Sequence, residues 1–102
     1  MLEIRKVECD GYGYEISNPI KAMSALGSYA YLNSLKAKEG VIVKWERQGA
    51  YIREDDNKLI DKYSVFVLVV GENPELQVHE LFIDMYHRIN DEISPKNFEI
   101  TK

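Results

Sequence analysis

The segment HELFIDMYH, from His79 to His87, contains both histidines of the chain and two carboxylates, Glu80 and Asp84, between them. On a helix, side chains three or four residues apart meet, so Glu80, Asp84 and His87 would share one side. Two carboxylates and an imidazole can hold a divalent ion with a position left for water, or can pair as carboxylate and base. The chemistry implied is that of a small metal-dependent hydrolase. The segment lacks the His-Glu-x-x-His pattern of zinc helices. A useful base also needs neighbours that fix its geometry and shift its acidity, and the local sequence supplies none. This acidic-histidine cluster is therefore the alternative reading.

Other reactive residues give weaker signals. Ser24, Ser28 and Ser34 stand outside any Gly-x-Ser-x-Gly motif. Cys9 has no histidine near it in sequence and reads as a small hydrophobe. In DGYGYE, Gly11 and Gly13 begin a dinucleotide-binding pattern, but Ile16 occupies the third glycine position. No cofactor is expected from these motifs, and no resident metal.

The aromatic residues suggest contact rather than catalysis. Tyr12, Tyr14, Lys44, Trp45, Arg47 and Tyr51 combine rigid rings with cations, which suits a protein interface. The same rings would fill a small core equally well. Stacking of single-stranded nucleic acid on Trp45 is a third possibility. Glu46 interrupts the basic track there, and the chain carries a net charge of −4, so nucleic acid is not the expected partner.

Charge is unevenly distributed. Residues 20–53 carry six cations against two carboxylates, and residues 72–92 carry six carboxylates against one cation. Such halves can meet across two subunits, or inside one. The expected partner is a second copy or another protein.

These residues must be positioned by a fold of 102 residues, enough for one compact domain spanning 1–102. A single cysteine excludes an intrachain disulfide and fits a reducing compartment. No signal peptide or membrane span is read, and the chain reads as cytoplasmic.

Leu2 to Val7 alternates charged and apolar residues, as an edge strand does. Asn18 and Pro19 supply an N-cap and a first helical residue, predicting a helix over 19–38 that Gly40 stops. Gly27, in its middle, implies close packing or a bend. Val41 to Glu46 reads as a strand, Gln48-Gly49 as a turn, and Ala50 to Ile52 as a short return strand. Arg53 to Asp61 is polar and reads as a mobile loop. Tyr63 to Val70 reads as a strand, apolar on both faces from Val65 to Val70, and belongs in the middle of a sheet.

Asn73 and Pro74 repeat the Asn-Pro start signal. The helical reading of the residues that follow puts Val78, Leu81, Phe82, Met85 and Ile89 on one face, opposite Glu80, Asp84, His87 and Asp91. A strand is the competing geometry, with ELFI pairing in a hairpin against FVLVV. The helix divides apolar from polar residues more cleanly and is the adopted reading. Phe98 to Thr101 could add a final strand. The fold class expected is α+β: two layers, a mixed or antiparallel four-stranded sheet, and two helices. The function expected is a non-catalytic, self-associating interaction module.

Overall fold

The computed structural model describes residues 2–101. It is an α+β domain in which sheet predominates. In chain order the elements are β1 (Glu3–Lys6), β2 (Ile20–Lys21), α1 (Ser24–Ser34), β3 (Leu35–Ala37), β4 (Val41–Arg53), β5 (Lys58–Val69), β6 (Glu75–Asp84) and β7 (Phe98–Ile100).

The main sheet is mixed and has five strands rather than four. Its order is β1-β6-β5-β4, and β2 also pairs with β6, beyond the end of β1. Both β1 and β2 run parallel to β6, whereas β4, β5 and β6 form an antiparallel meander. A separate two-stranded ribbon joins β3 to β7 antiparallel.

The expected second helix is a strand. Residues 75–84 lie between β5 on one side and β1 and β2 on the other. Backbone hydrogen bonds to three strands outweigh a helical periodicity that ten residues can satisfy only loosely. The alternation is real once the sheet is known. His79, Leu81 and Ile83 are buried beneath the helix side, and Val78, Glu80 and Phe82 are half-buried on the other.

The first helix is shorter than expected, Ser24–Ser34 instead of 19–38. Asn18 does not cap it. Its carbonyl accepts from Gly13 N and its amide donates to Glu15 O, closing a tight loop, after which Ile20 and Lys21 pair with Ile83 and Asp84. Lys36 falls in β3, not in a last helical turn. Gly27 does mark a close approach. Asn90 Nδ2 donates to the Gly27 carbonyl at 2.8 Å, and a Cβ at Gly27 would stand 2.7 Å from Asn90 Oδ1.

The predicted hairpin 41–52 is one strand. Gln48 is looped out between Arg47 and Gly49, so the turn signal became a β-bulge, with Gly49 at φ +147. The polar excursion is a compact turn over 54–57. The Arg53 guanidinium grips both oxygens of Asp56 at 3.0 and 2.6 Å, and Asn57 takes φ +57.

The core lies between one sheet face and α1 with the β3–β7 ribbon. Tyr63, Val65, Val67, Leu81 and Ile83 meet Tyr31, Leu32, Leu35, Ala37, Phe98, Ile20 and Tyr14 there. Gly40 turns the chain from β3 into β4 with φ +87, and a Cβ would stand 2.5 Å from the Leu68 carbonyl oxygen. Gly40→Ala is expected to cost about 2 kcal/mol or more, from the left-handed backbone and the clash together. Urea unfolding of the two proteins measures this, and equal midpoints would refute it.

Candidate functional site

The structure separates the acidic-histidine cluster. In an extended strand Glu80 and Asp84 are about 13 Å apart along the chain. Glu80 Oε1 accepts from Lys6 Nζ at 2.6 Å and its Oε2 lies 2.7 Å from Lys62 Nζ. Burial pushes the Glu80 carboxyl up, but the two lysines overcome this and hold it below its ordinary value.

Asp84 and His87 do meet, with His87 Nε2 3.0 Å from Asp84 Oδ2. Asp84 is 2% exposed. It also accepts from Tyr86 N at 3.1 Å and lies 3.9 Å from the Arg53 guanidinium. Asp84 is thus a buried side chain with its polar atoms partnered, joining the end of β6 to the β4–β5 turn. Among the described residues no group of three or more His, Cys, Asp or Glu side chains is placed to hold a metal ion.

His79, which the sequence reading leaves outside the cluster, belongs to a buried polar chain. Its Nδ1 lies 2.9 Å from the Tyr14 hydroxyl and its Nε2 lies 3.0 Å from Gln77 Oε1. Gln77 in turn donates to Glu75, which is held by Arg5 at 3.0 Å. The Phe98 ring stands edge-on at 4.9 Å. Period-two alternation placed His79 with Leu81 and Ile83 in the sequence, but Tyr14 is 65 residues away and nothing local announces it.

The six expected interface residues do not form one surface. Tyr14 is buried, and Tyr12 donates to Asp91 Oδ2 at 2.6 Å. Burial and the Asp91 hydrogen bond push the Tyr12 hydroxyl well up. These rings hold the loop after β1 and the chain after β6 together. Lys44, Trp45, Arg47 and Tyr51 all lie on β4.

Trp45 is half-buried, stacked on Tyr29 at 5.3 Å and edge-on to Tyr63 at 5.8 Å, and it donates Nε1 to Asn33 Oδ1 at 3.0 Å. Its ring thus packs against Tyr29 and Tyr63 on the helix side of β4. The acids of β6 pair with cations outside residues 20–53, namely Arg5, Lys6 and Lys62, and Arg47 pairs with Asp61 at 3.0 Å; Arg53, 3.9 Å from Asp84, is where the basic and acidic stretches meet.

What remains open is a face and an edge. The sheet face away from α1 carries rows set by register. Ile4, Leu76, Leu68 and Val41 form one apolar row, followed by Lys6, Val78, Phe66 and Lys44, then by Glu80, Ser64 and Glu46. No family model, no curated protein and no solved structure matches this chain. Function must therefore be argued from these surfaces.

The edge is β4. It is thirteen residues long and, among the described residues, pairs only with β5, which leaves its outer backbone groups without a strand partner there. Along it Val41, Val43, Tyr51 and Ile52 are exposed, Val43 by 51% and Ile52 by 62%. Beside Trp45 a cleft of about 420 Å³ opens between β4 and the end of α1, lined by Leu32, Leu35, Val43 and Trp45 among others. Among the described residues no helix is long and apolar enough to cross a membrane.

Proposed function

We propose that this domain is a non-catalytic protein-interaction module that associates with itself by extending its sheet through β4. The observation that carries this reading is the long strand paired on one side only, with exposed Val41, Val43, Tyr51 and Ile52 along it. Unpaired strand edges bearing apolar side chains are templates for another strand, and closed twofold dimers are the commonest result. The lone cysteine fits a reducing compartment such as the cytoplasm.

The rival, a metal-dependent hydrolase using Glu80, Asp84 and His87, has less support. Glu80 is paired with two lysines, and Asp84 is buried with His87 at 3.0 Å and Arg53 at 3.9 Å, so both carboxylates already have partners.

Sedimentation across protein concentrations tests the proposal. The mass is expected to rise from one chain to two within roughly the micromolar to millimolar range, as suits a small interface. Val43→Lys is expected to weaken association about tenfold or more while leaving the melting temperature of the monomer nearly unchanged. A single-chain mass throughout would end this reading.

A further inference from the structure

The geometry points to one register for that association: we propose that β4 of a second copy runs antiparallel to β4 about a twofold axis through Trp45, setting Lys44 of each chain opposite Glu46 of the other. This rests on the reading of β4 as a self-associating edge and specifies how two copies meet.

A twofold axis that brings two copies of one edge strand side by side and antiparallel must stand perpendicular to the sheet. Each face then continues into the same face of the second copy. Side chains alternate between faces along a strand, so the axis must pass through a residue rather than between two.

Where it can pass is limited by the bulges. Val43 and Gln48 are looped out relative to β5, leaving Lys44–Arg47 as the regular stretch between them. An axis through Lys44 sets two lysines directly opposite each other. An axis through Glu46 does the same with two carboxylates, and one through Arg47, itself held by Asp61, sets two guanidinium groups side by side and carries the pairing straight onto the Gln48 bulge. Like charges in directly opposed positions are destabilising. Only the axis through Trp45 avoids this, and it creates two Lys44–Glu46 pairs instead.

The side chains are placed for it. Lys44 is opposite Phe66 and Glu46 opposite Ser64, both on the open face, whereas Trp45 is opposite Val65 on the helix side. Lys44 Nζ and Glu46 Oε1 already lie 3.7 Å apart along the strand, with both side chains more than half exposed, so each can reach across the axis. The two Trp45 rings face each other at the axis, each held by its own Tyr29 and Asn33. Residues Gly49–Arg53 form the other regular stretch of β4, but they offer no opposite charges to fix a register. Their one charge, Arg53, is bound to Asp56.

Charge reversal in the full chain tests the register. K44E and E46K are each expected to weaken self-association about tenfold, since two attractive pairs become repulsive. K44E/E46K together restores it, and an equimolar mixture of the two single variants forms heterodimers as tight as the wild-type homodimer. Thermal melts of each variant confirm that the monomer is folded, as expected for exposed positions. Wild-type dimerisation that ignores these charges would overturn the register while leaving the self-association reading intact. A wild-type chain that stays monomeric would overturn both.

Discussion

Truncating Phe98 to alanine is expected to destabilise the domain by about 3–5 kcal/mol, a large share of the roughly 5–15 kcal/mol available to a domain of this size. Phe98 is 1% exposed and sits where three parts of the chain converge. It opens β7, pairs with Ala37 of β3, and sets its ring edge-on against His79 of the central strand. The residues just before it, Lys96 and Asn97, supply a carbonyl and an amide to the Tyr14 hydroxyl. Removing the ring opens a cavity and loosens the support of the buried polar chain. Ile93→Ala, at an exposed position in the same segment, is expected to change stability by less than about 0.5 kcal/mol. Urea unfolding monitored by Trp45 fluorescence separates the two outcomes. Similar small losses in both variants would mean that the β3–β7 ribbon is an ornament rather than a wall of the core.

The second large effect is a loss of stability in mild acid through His79. The ring is 2% exposed, and burial, aided by the Arg5 charge, lowers its pKa from 6.5 to about 4. Gln77 Oε1 can only accept, so the neutral ring places its hydrogen on Nε2 and leaves Nδ1 to accept from Tyr14. That hydroxyl also lies 2.8 Å from the Lys96 carbonyl and has a single hydrogen for the two.

The unfolded chain binds a proton near pH 6.5 and the folded one resists until about pH 4. Between these values the unfolded state holds more protons, so stability rises with pH. It is fully present above 6.5 and lost as pH falls toward 4, by up to about 3 kcal/mol. Glu75 and Glu80, whose carboxyl pKa values are lowered from 4.5, act in the same direction but only at lower pH. The interval from roughly pH 5 to 6.5 therefore belongs mainly to His79. Denaturant titrations at intervals across that range are expected to show the slope in the wild type and to lose most of it in His79→Gln. A slope unchanged in the variant would assign the acid sensitivity elsewhere.

Several elements could be read from local residues because a local cause suffices. The second half of β5, from Val65 to Val69, is apolar on both faces and lies between β4 and β6. β1 alternates charge and hydrophobe and lies at an edge. Gly40 was legible as a left-handed residue, although it ends a connection between strands rather than a helix. The errors share a cause. Asn18-Pro19 and Asn73-Pro74 each look like a helix start, and each instead leads into a strand that docks on the central sheet. Whether an Asn-Pro pair opens a helix depends on what waits for the next residues, and here Ile83 and Asp84 wait for Ile20 and Lys21.

Among functional residues, Asp84 and His87 could be paired from their spacing alone, because three residues span a turn as readily as a helix step. Arg53, which lies beside Asp84 from the β4–β5 turn, could not. Tyr12 and Tyr14 read equally as contact or as core residues from their rings alone. They face inward because Asp91, Lys96 and Asn97 return to meet them.

The placement of β1 and β2 has a consequence for how the molecule is made. Both lie before residue 22, yet among the described residues their only strand partner is β6, which is completed at residue 84. On a ribosome, the first segments emerge with nowhere to dock. The β4–β5 hairpin is local and can close early, whereas joining β1 to β6 closes a loop of about seventy residues, the kind of distant contact that slows folding. During synthesis β1 and β2 thus trail as loose thread until β6 has been spun.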